Sequence, residues 1–225
     1  MSERIAVEAV WYVAYGSNLA LDRFRCYLRG GRPSGGLREY AGCRDGRDPA
    51  SVISLHVSGR LVFAGASTVW GGGMAFLDRS ASGRVACRAY LISTEQFADV
   101  TAQEMRRPPG GTFARDLEGK LTEVQSWQTL GPGHYETIVR LGVHAGAPLL
   151  TVTHSDVADL VPAAPSATYM SQICAGLHEA HFWGAEHMGR YLAPAPGVSC
   201  AWTEDQIAEV ARAVVEAGAG ASIGE

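Results

Sequence analysis

The chain has 225 residues, is 47% hydrophobic and 19% charged, and carries a formal net charge of −4 at pH 7 with no basic block. That length can bury a sizeable core in one large domain, the composition is globular, and the acidic balance argues against nucleic acid or an anionic membrane as partner. Five cysteines, widely spaced and without a CxxC, argue against a disulfide framework or a zinc ribbon and suit a reducing cytoplasm.

In chain order, the first ten residues lack a basic region followed by an apolar one, so no signal peptide is expected. No run approaches the ~20 apolar residues of a membrane span. Residues 10–15 (VWYVAY) read as a buried strand, and residues 19–28 as a helix stopped by Gly30-Gly31. Residues 35–48, rich in Gly, Arg and Asp, read as a loop. Residues 52–57 and 61–66 form an expected hairpin across Ser58-Gly59. Short strands follow at 74–77 and 85–92, joined by a turn at 80–83. Ser93-Thr94-Glu95-Gln96 matches a capping box, which predicts a helix to about Met105. Residues 113–133 are ambiguous. Residues 135–141 and 148–153 read as a further hairpin, and Pro165-Ser166 opens a helix to about His181. A second capping-box pattern at Thr203–Gln206 heads a last helix, with 217–225 as a frayed tail. Strands joined by tight turns predict a mainly antiparallel sheet, either closing on itself or covered by helices.

The strand at 10–15 stops at Gly16-Ser17-Asn18, and a helical pattern follows at once. The first N–H groups of a helix lack partners within it and favour negative charge. Gly16 permits close backbone approach, and Ser17 and Asn18 can cap the helix or bond a ligand. Local spacing leaves both an ordinary N-cap turn and an anion-holding turn open.

YGSNL after an apolar strand resembles the signature of the γ-glutamylcyclotransferase-like superfamily. STVWGGGMAFL, then ACRAYLISTEQFADVTAQEM, is similar to the family's middle section, where a Gly-rich segment leads to a strand, a hairpin and a helix ending in a catalytic glutamate. PSATYMSQICAGLHEA is similar to its late helix. The three segments stand in the family's order over about residues 10–180, and residues 29–50 do not align. The resemblance implies an α+β fold: a small closed, mainly antiparallel β-barrel flanked by helices. It places this domain at residues 1–195, with a C-terminal helical extension and tail at 196–225.

It also implies a reaction, the intramolecular acyl transfer that releases 5-oxoproline and an amine or amino acid from a γ-glutamyl compound. A tethered amine needs little help with proximity. It needs a base that takes its proton and returns one to the leaving amine, with donors for the carboxylate and for the oxyanion. No metal and no cofactor is required. By resemblance Glu104 is the proton shuttle, and its helix-end position before a loop suits that role. Phe97, Val100 and Met105 could desolvate it and raise its pKa, while Arg106 and Arg107 would act the other way if close. Glu95 is the second candidate, though a helix start suits dipole stabilisation better. Tyr15, Gly16, Ser17, Asn18 and Leu19 of the motif, with Tyr135 and Tyr169, are the implied substrate-binding residues. The implied partner is a small-molecule γ-glutamyl substrate. A homodimer is compatible with the sequence, which does not set the oligomeric state.

The chain departs from the pattern at Met105, where the family has glycine, and in the long stretch 106–134. Phe113 and Trp127 in that stretch are read as a lid or wall over the leaving group. Two alternatives stay open: an enzyme of the same scaffold working on another amide or amine, and a non-catalytic protein that binds a small carboxylate. Other constellations are weaker. His178 and His181 are three apart, not the four of a zincin pair. Gly71-Gly72-Gly73 lacks the lysine of a phosphate loop and reads as a close approach between strands. No GxSxG is present.

Overall fold

A computed structural model describes residues 9–121 and 124–221, and for residues 218–221 the backbone alone. The stretch 1–8, read above for a leader, and the tail end 222–225 lie outside the described residues. The architecture is α+β. A six-stranded mixed sheet has the order β2-β5-β1-β8-β7-β6, and a separate two-stranded ribbon is made of β3 and β4. The strands are β1 (Ala9–Ala14), β2 (Ser51–Ser58), β3 (Arg60–Ala64), β4 (Met74–Asp78), β5 (Arg84–Ser93), β6 (Trp127–Thr129), β7 (Thr137–His144) and β8 (Ala147–Thr153). The helices are α1 (Leu21–Arg29), α2 (Thr94–Glu104), α3 (Thr112–Glu118), α4 (Ala167–His181), α5 (Ala185–Leu192) and α6 (Glu204–Ala221).

β1 lies inside the sheet, antiparallel to β5 and parallel to β8. Its side chains alternate between two cores. Trp11 and Val13 pack with α4, α5 and α6, whereas Val10, Tyr12 and Ala14 pack with α1 and α2. Both faces are covered, so the strand reads as one unbroken apolar run.

The closed barrel is not seen. The predicted hairpin between β2 and β3 is also absent: β2 pairs with β5, and β3 pairs with β4. The physical reason lies at Gly59, whose φ is 138°. A Cβ there would fall 2.6 Å from the Asp78 carbonyl oxygen. Its N–H instead bonds the Gly83 carbonyl at 3.2 Å, and the ribbon bends out of the sheet at this pair of glycines. The turn signal at Ser58-Gly59 therefore marks a bend between two sheets. The predicted β7–β8 hairpin does form. It turns at Ala145-Gly146, with φ of 48° and 83°, the primed geometry that matches strand twist.

Both capping boxes form. Ser93 Oγ accepts from Gln96 N at 3.0 Å while Gln96 Oε1 accepts from Ser93 N at 3.0 Å. Thr203 and Gln206 repeat the exchange at the start of α6, which runs through Ala221 and so past the start of the expected tail. α4 ends at His181, as expected, because Phe182 takes a left-handed conformation (φ 56°) and separates α4 from α5. Residues 113–133 resolve into α3 and β6.

One buried carboxylate ties the loops to α2. Asp99, fully buried, accepts from Arg44 N at 2.8 Å, Arg44 Nε at 3.0 Å and Gly110 N at 2.7 Å. Replacing Asp99 by Ala strands these donors, so Asp99→Ala should lose about 3 kcal/mol of stability, read as a lowered urea midpoint with unchanged slope.

Candidate functional site

β1 delivers Tyr15 and Gly16 beyond the sheet edge, and Ser17–Leu19 then form a single 3-10 turn. α1 begins only at Leu21. The helix expected from residue 19 thus starts two residues later, after the 3-10 turn. The Leu19 and Ala20 N–H groups bond the Gly16 and Ser17 carbonyls. The Leu21 N–H donates to Glu179 Oε2 at 3.0 Å, and that carboxylate also pairs with Arg88. Leu19 is not on the cavity. Its side chain is fully buried, and its carbonyl accepts from Tyr90 and Arg88.

A cavity of about 90 Å³ opens beside the turn. Tyr15, Gly16, Ser17 and Asn18 line it, and so do Glu104, Tyr135 and Tyr169. Glu104 comes from the last residue of α2, which ends because Arg106 takes φ 58° and Arg107 N bonds back to Ala102 O. Asn18 Nδ2 donates to Tyr12 Oη at 2.8 Å and to Glu104 Oε1 at 3.3 Å. Burial pushes the Glu104 carboxyl above its usual range, against the opposing pull of the Arg23 charge and of hydrogen bonds from Tyr27 and Asn18. The opposing charges are thus Arg23 and Arg38, not the expected Arg106 and Arg107. Arg107 stacks on Phe113 at 4.3 Å.

The tyrosines play different parts. Tyr15 Oη donates to Val152 O at 2.7 Å and Tyr135 Oη to Ala75 O at 2.8 Å, so both hydroxyl hydrogens are spent on backbone. Tyr169 Oη accepts from Ala75 N at 3.2 Å, and its own hydrogen has no protein acceptor among the described residues. Burial raises this phenol to about 12, so it stays a neutral donor.

Arg23 went unseen in the sequence. It lies on the inward face of α1 with Phe24, Tyr27 and Leu28 and is 4% exposed. Its guanidinium sits 4.5 Å from the Tyr27 ring centroid and 4.4 Å from that of Tyr40. Each contact is worth about 0.5–2 kcal/mol. Nη2 donates to Tyr40 Oη at 2.7 Å, while Nε and Nη1 have no partner. Asn18 Oδ1 is likewise buried without one. A charged residue on the buried stripe of an amphipathic helix, just after YGSNL, is the signal that could have found it.

The set-aside features sit elsewhere. Glu95 pairs with Arg44 at 3.1 Å. Phe113 and Trp127 do not line this cavity, so they form no wall over it; Arg106 and His134 from the same stretch do line it. His178 bonds Trp183 O and His181 bonds Cys87 O. Among the described residues no group of three or more His, Cys, Asp or Glu is placed to hold a metal ion. Gly72 and Gly73 of the triple glycine lie against residues 163–166, with Gly73 N donating to Ala164 O at 2.7 Å. Among the described residues no helix is long and apolar enough to cross a membrane.

No protein-family model matches the chain. Histone deacetylase 5 of Arabidopsis thaliana is 33% identical over 159 residues, covering 64% of this chain and 23% of that protein. The chain thus spans less than a quarter of that relative's length. A solved gamma-glutamyl cyclotransferase superposes with a TM-score of 0.46 at 15% identity, over 91% of this chain and 99% of its own. An uncharacterized protein from Homo sapiens superposes with 0.48 at 18% identity, over the same 91% and 99%. Likeness at this level assigns no activity.

Proposed function

We propose that the cavity is the active site of a γ-glutamyl cyclotransferase-like enzyme. The reading is carried by one observation: a desolvated carboxylate, Glu104, meets the Gly16–Asn18 turn across a cavity that still holds unpartnered polar atoms. The three sequence segments that resemble the family support it.

The substrate's α-ammonium gives a proton to the Glu104 carboxylate. The freed lone pair attacks the γ-carbonyl carbon of the same molecule, which closes a five-membered ring. Negative charge collects on the carbonyl oxygen, and the Tyr169 hydroxyl is the donor left uncommitted for it. The bond to the leaving nitrogen breaks as Glu104 returns its proton to that nitrogen, and the second proton of the ring nitrogen passes to the departing amine, which leaves as an ammonium. The products are 5-oxoproline and an amine, and the base ends as it began.

A panel of γ-glutamyl amines, amino acids and small peptides, assayed for 5-oxoproline, tests the reading. Turnover of at least one member is expected, and 5-oxoproline from none overturns it. The pH profile is a second check. Glu104 must be ionised to accept the first proton, and its folded pKa lies above the ordinary 4.5. kcat/KM should therefore rise with pH along a limb centred above that value and flatten beyond it. An acid limb at or below 4.5 would assign the base elsewhere.

A further inference from the structure

We propose that Arg23 holds the ligand's carboxylate, so that the cavity selects compounds with a free α-amino-acid head group. Buried guanidinium N–H groups without acceptors are rare, because desolvating them is costly unless something bonds them. Arg23 leaves Nε and both Nη1 hydrogens without a protein acceptor, at 4% exposure, on the wall of the cavity. No Asp or Glu forms an ion pair with it among the described residues. The Tyr27 and Tyr40 rings hold the guanidinium in place, as does the bond from Nη2 to Tyr40 Oη; the Glu104 charge acts on Arg23 without an ion pair, and none of these groups accepts from Nε or Nη1. A carboxylate accepts more than one N–H.

The complementary group lies alongside. Asn18 Oδ1 is a buried acceptor without a donor, and the Glu104 carboxylate is the second acceptor on the same cavity. An ammonium fits these two. Donors for an anion beside acceptors for a cation are what an α-amino-acid head presents on one carbon. Volume points the same way. About 90 Å³ holds roughly six to nine water-sized positions, the scale of one γ-glutamyl unit with its leaving group towards the mouth. Glu104 would repel a dianion such as phosphate, and one carboxylate is the better match.

Identifying this carboxylate as the glutamyl α-carboxylate rests on the cyclotransferase reading, whereas carboxylate recognition by Arg23 does not. The test is calorimetric titration of the full chain with 5-oxoproline, with 5-oxoprolinamide and with acetate, in wild type, Arg23→Met and Arg23→Lys. Wild type should prefer 5-oxoproline to its amide by about 30-fold or more, and Arg23→Met should erase that preference. Arg23→Lys should fall between, since a point charge replaces a fork. Equal affinity for acid and amide in wild type overturns the proposal even if neither variant folds. So does a preference that survives in Arg23→Met. Arg23-dependent binding of acetate, with no 5-oxoproline binding and no turnover, would sink the cyclotransferase reading and leave Arg23 as a carboxylate-binding residue.

Discussion

Glu104→Gln should abolish 5-oxoproline release, lowering kcat by about 10²–10⁴-fold, and leave 5-oxoproline binding nearly unchanged. Glutamine keeps the shape and can still accept from Asn18 Nδ2 through its carbonyl oxygen. It cannot take a proton from the substrate ammonium or return one. The variant should also be more heat-stable than wild type at neutral pH. The folded carboxyl holds its proton to a higher pH than the unfolded one because burial penalises the charged form. Wild type therefore loses stability as pH rises from the unfolded to the folded pKa, and that loss persists above it. Glutamine has no such loss. Thermal melts at two pH values on either side of this window would show the two proteins diverging as pH rises. Wild-type turnover by Glu104→Gln would remove Glu104 as the base. Retained binding without any turnover in wild type would favour the non-catalytic reading.

The parts of this fold that were legible in the sequence are local. β1 was readable because both its faces are covered, which leaves an uninterrupted apolar run. The capping boxes at Ser93 and Thr203 were readable because donor and acceptor sit three residues apart. Glu104, Asn18 and Tyr169 are named by resemblance, and their meeting around one cavity is not legible from spacing. What escaped depends on distant partners. The Ser58-Gly59 signal is a true turn signal, yet pairing is decided by residues 74–93, and these draw β2 and β3 into different sheets. The place of Arg23 on the buried stripe of α1 is local, but its partner Tyr40 comes from a loop with no periodicity. The end of α4 at His181 matches the expected boundary, whereas the left-handed conformation of Phe182 that makes it carries no composition signal. The late start of α1 has a related cause: Glu179, from α4, accepts from its first N–H at Leu21, a partner 158 residues away in the chain.

That last contact belongs to a wider seam between α4 and the YGSNL turn, and under the proposed reaction a change in this seam should alter both stability and rate. Gly176 of α4 is buried against the turn, and an added Cβ would fall well inside van der Waals distance of Leu19 Cβ and Ala20 N. Neither atom is the end of a flexible side chain, and Leu19 is itself fully buried, so the backbone must move. Gly176→Ala gains about 1 kcal/mol of helix propensity. Overpacking costs about 1–3 kcal/mol or more, and the net result should be a lower melting temperature. The same movement displaces Asn18, one residue before Leu19, and with it the contact to Glu104. Misplacement by about 1 Å costs up to 10²-fold in rate, so kcat should fall with Tm. Gly189→Ala is the control. Its Cβ would meet the Glu204 carbonyl at 2.7 Å, a comparable strain in the α5–α6 contact and away from the cavity lining. It should lower Tm and leave kcat of the remaining folded enzyme unchanged. If both variants lose stability and neither loses rate, the YGSNL turn does not position the chemistry. If Gly176→Ala loses rate at unchanged Tm, the turn yields without strain, and its placement rests on contacts other than α4.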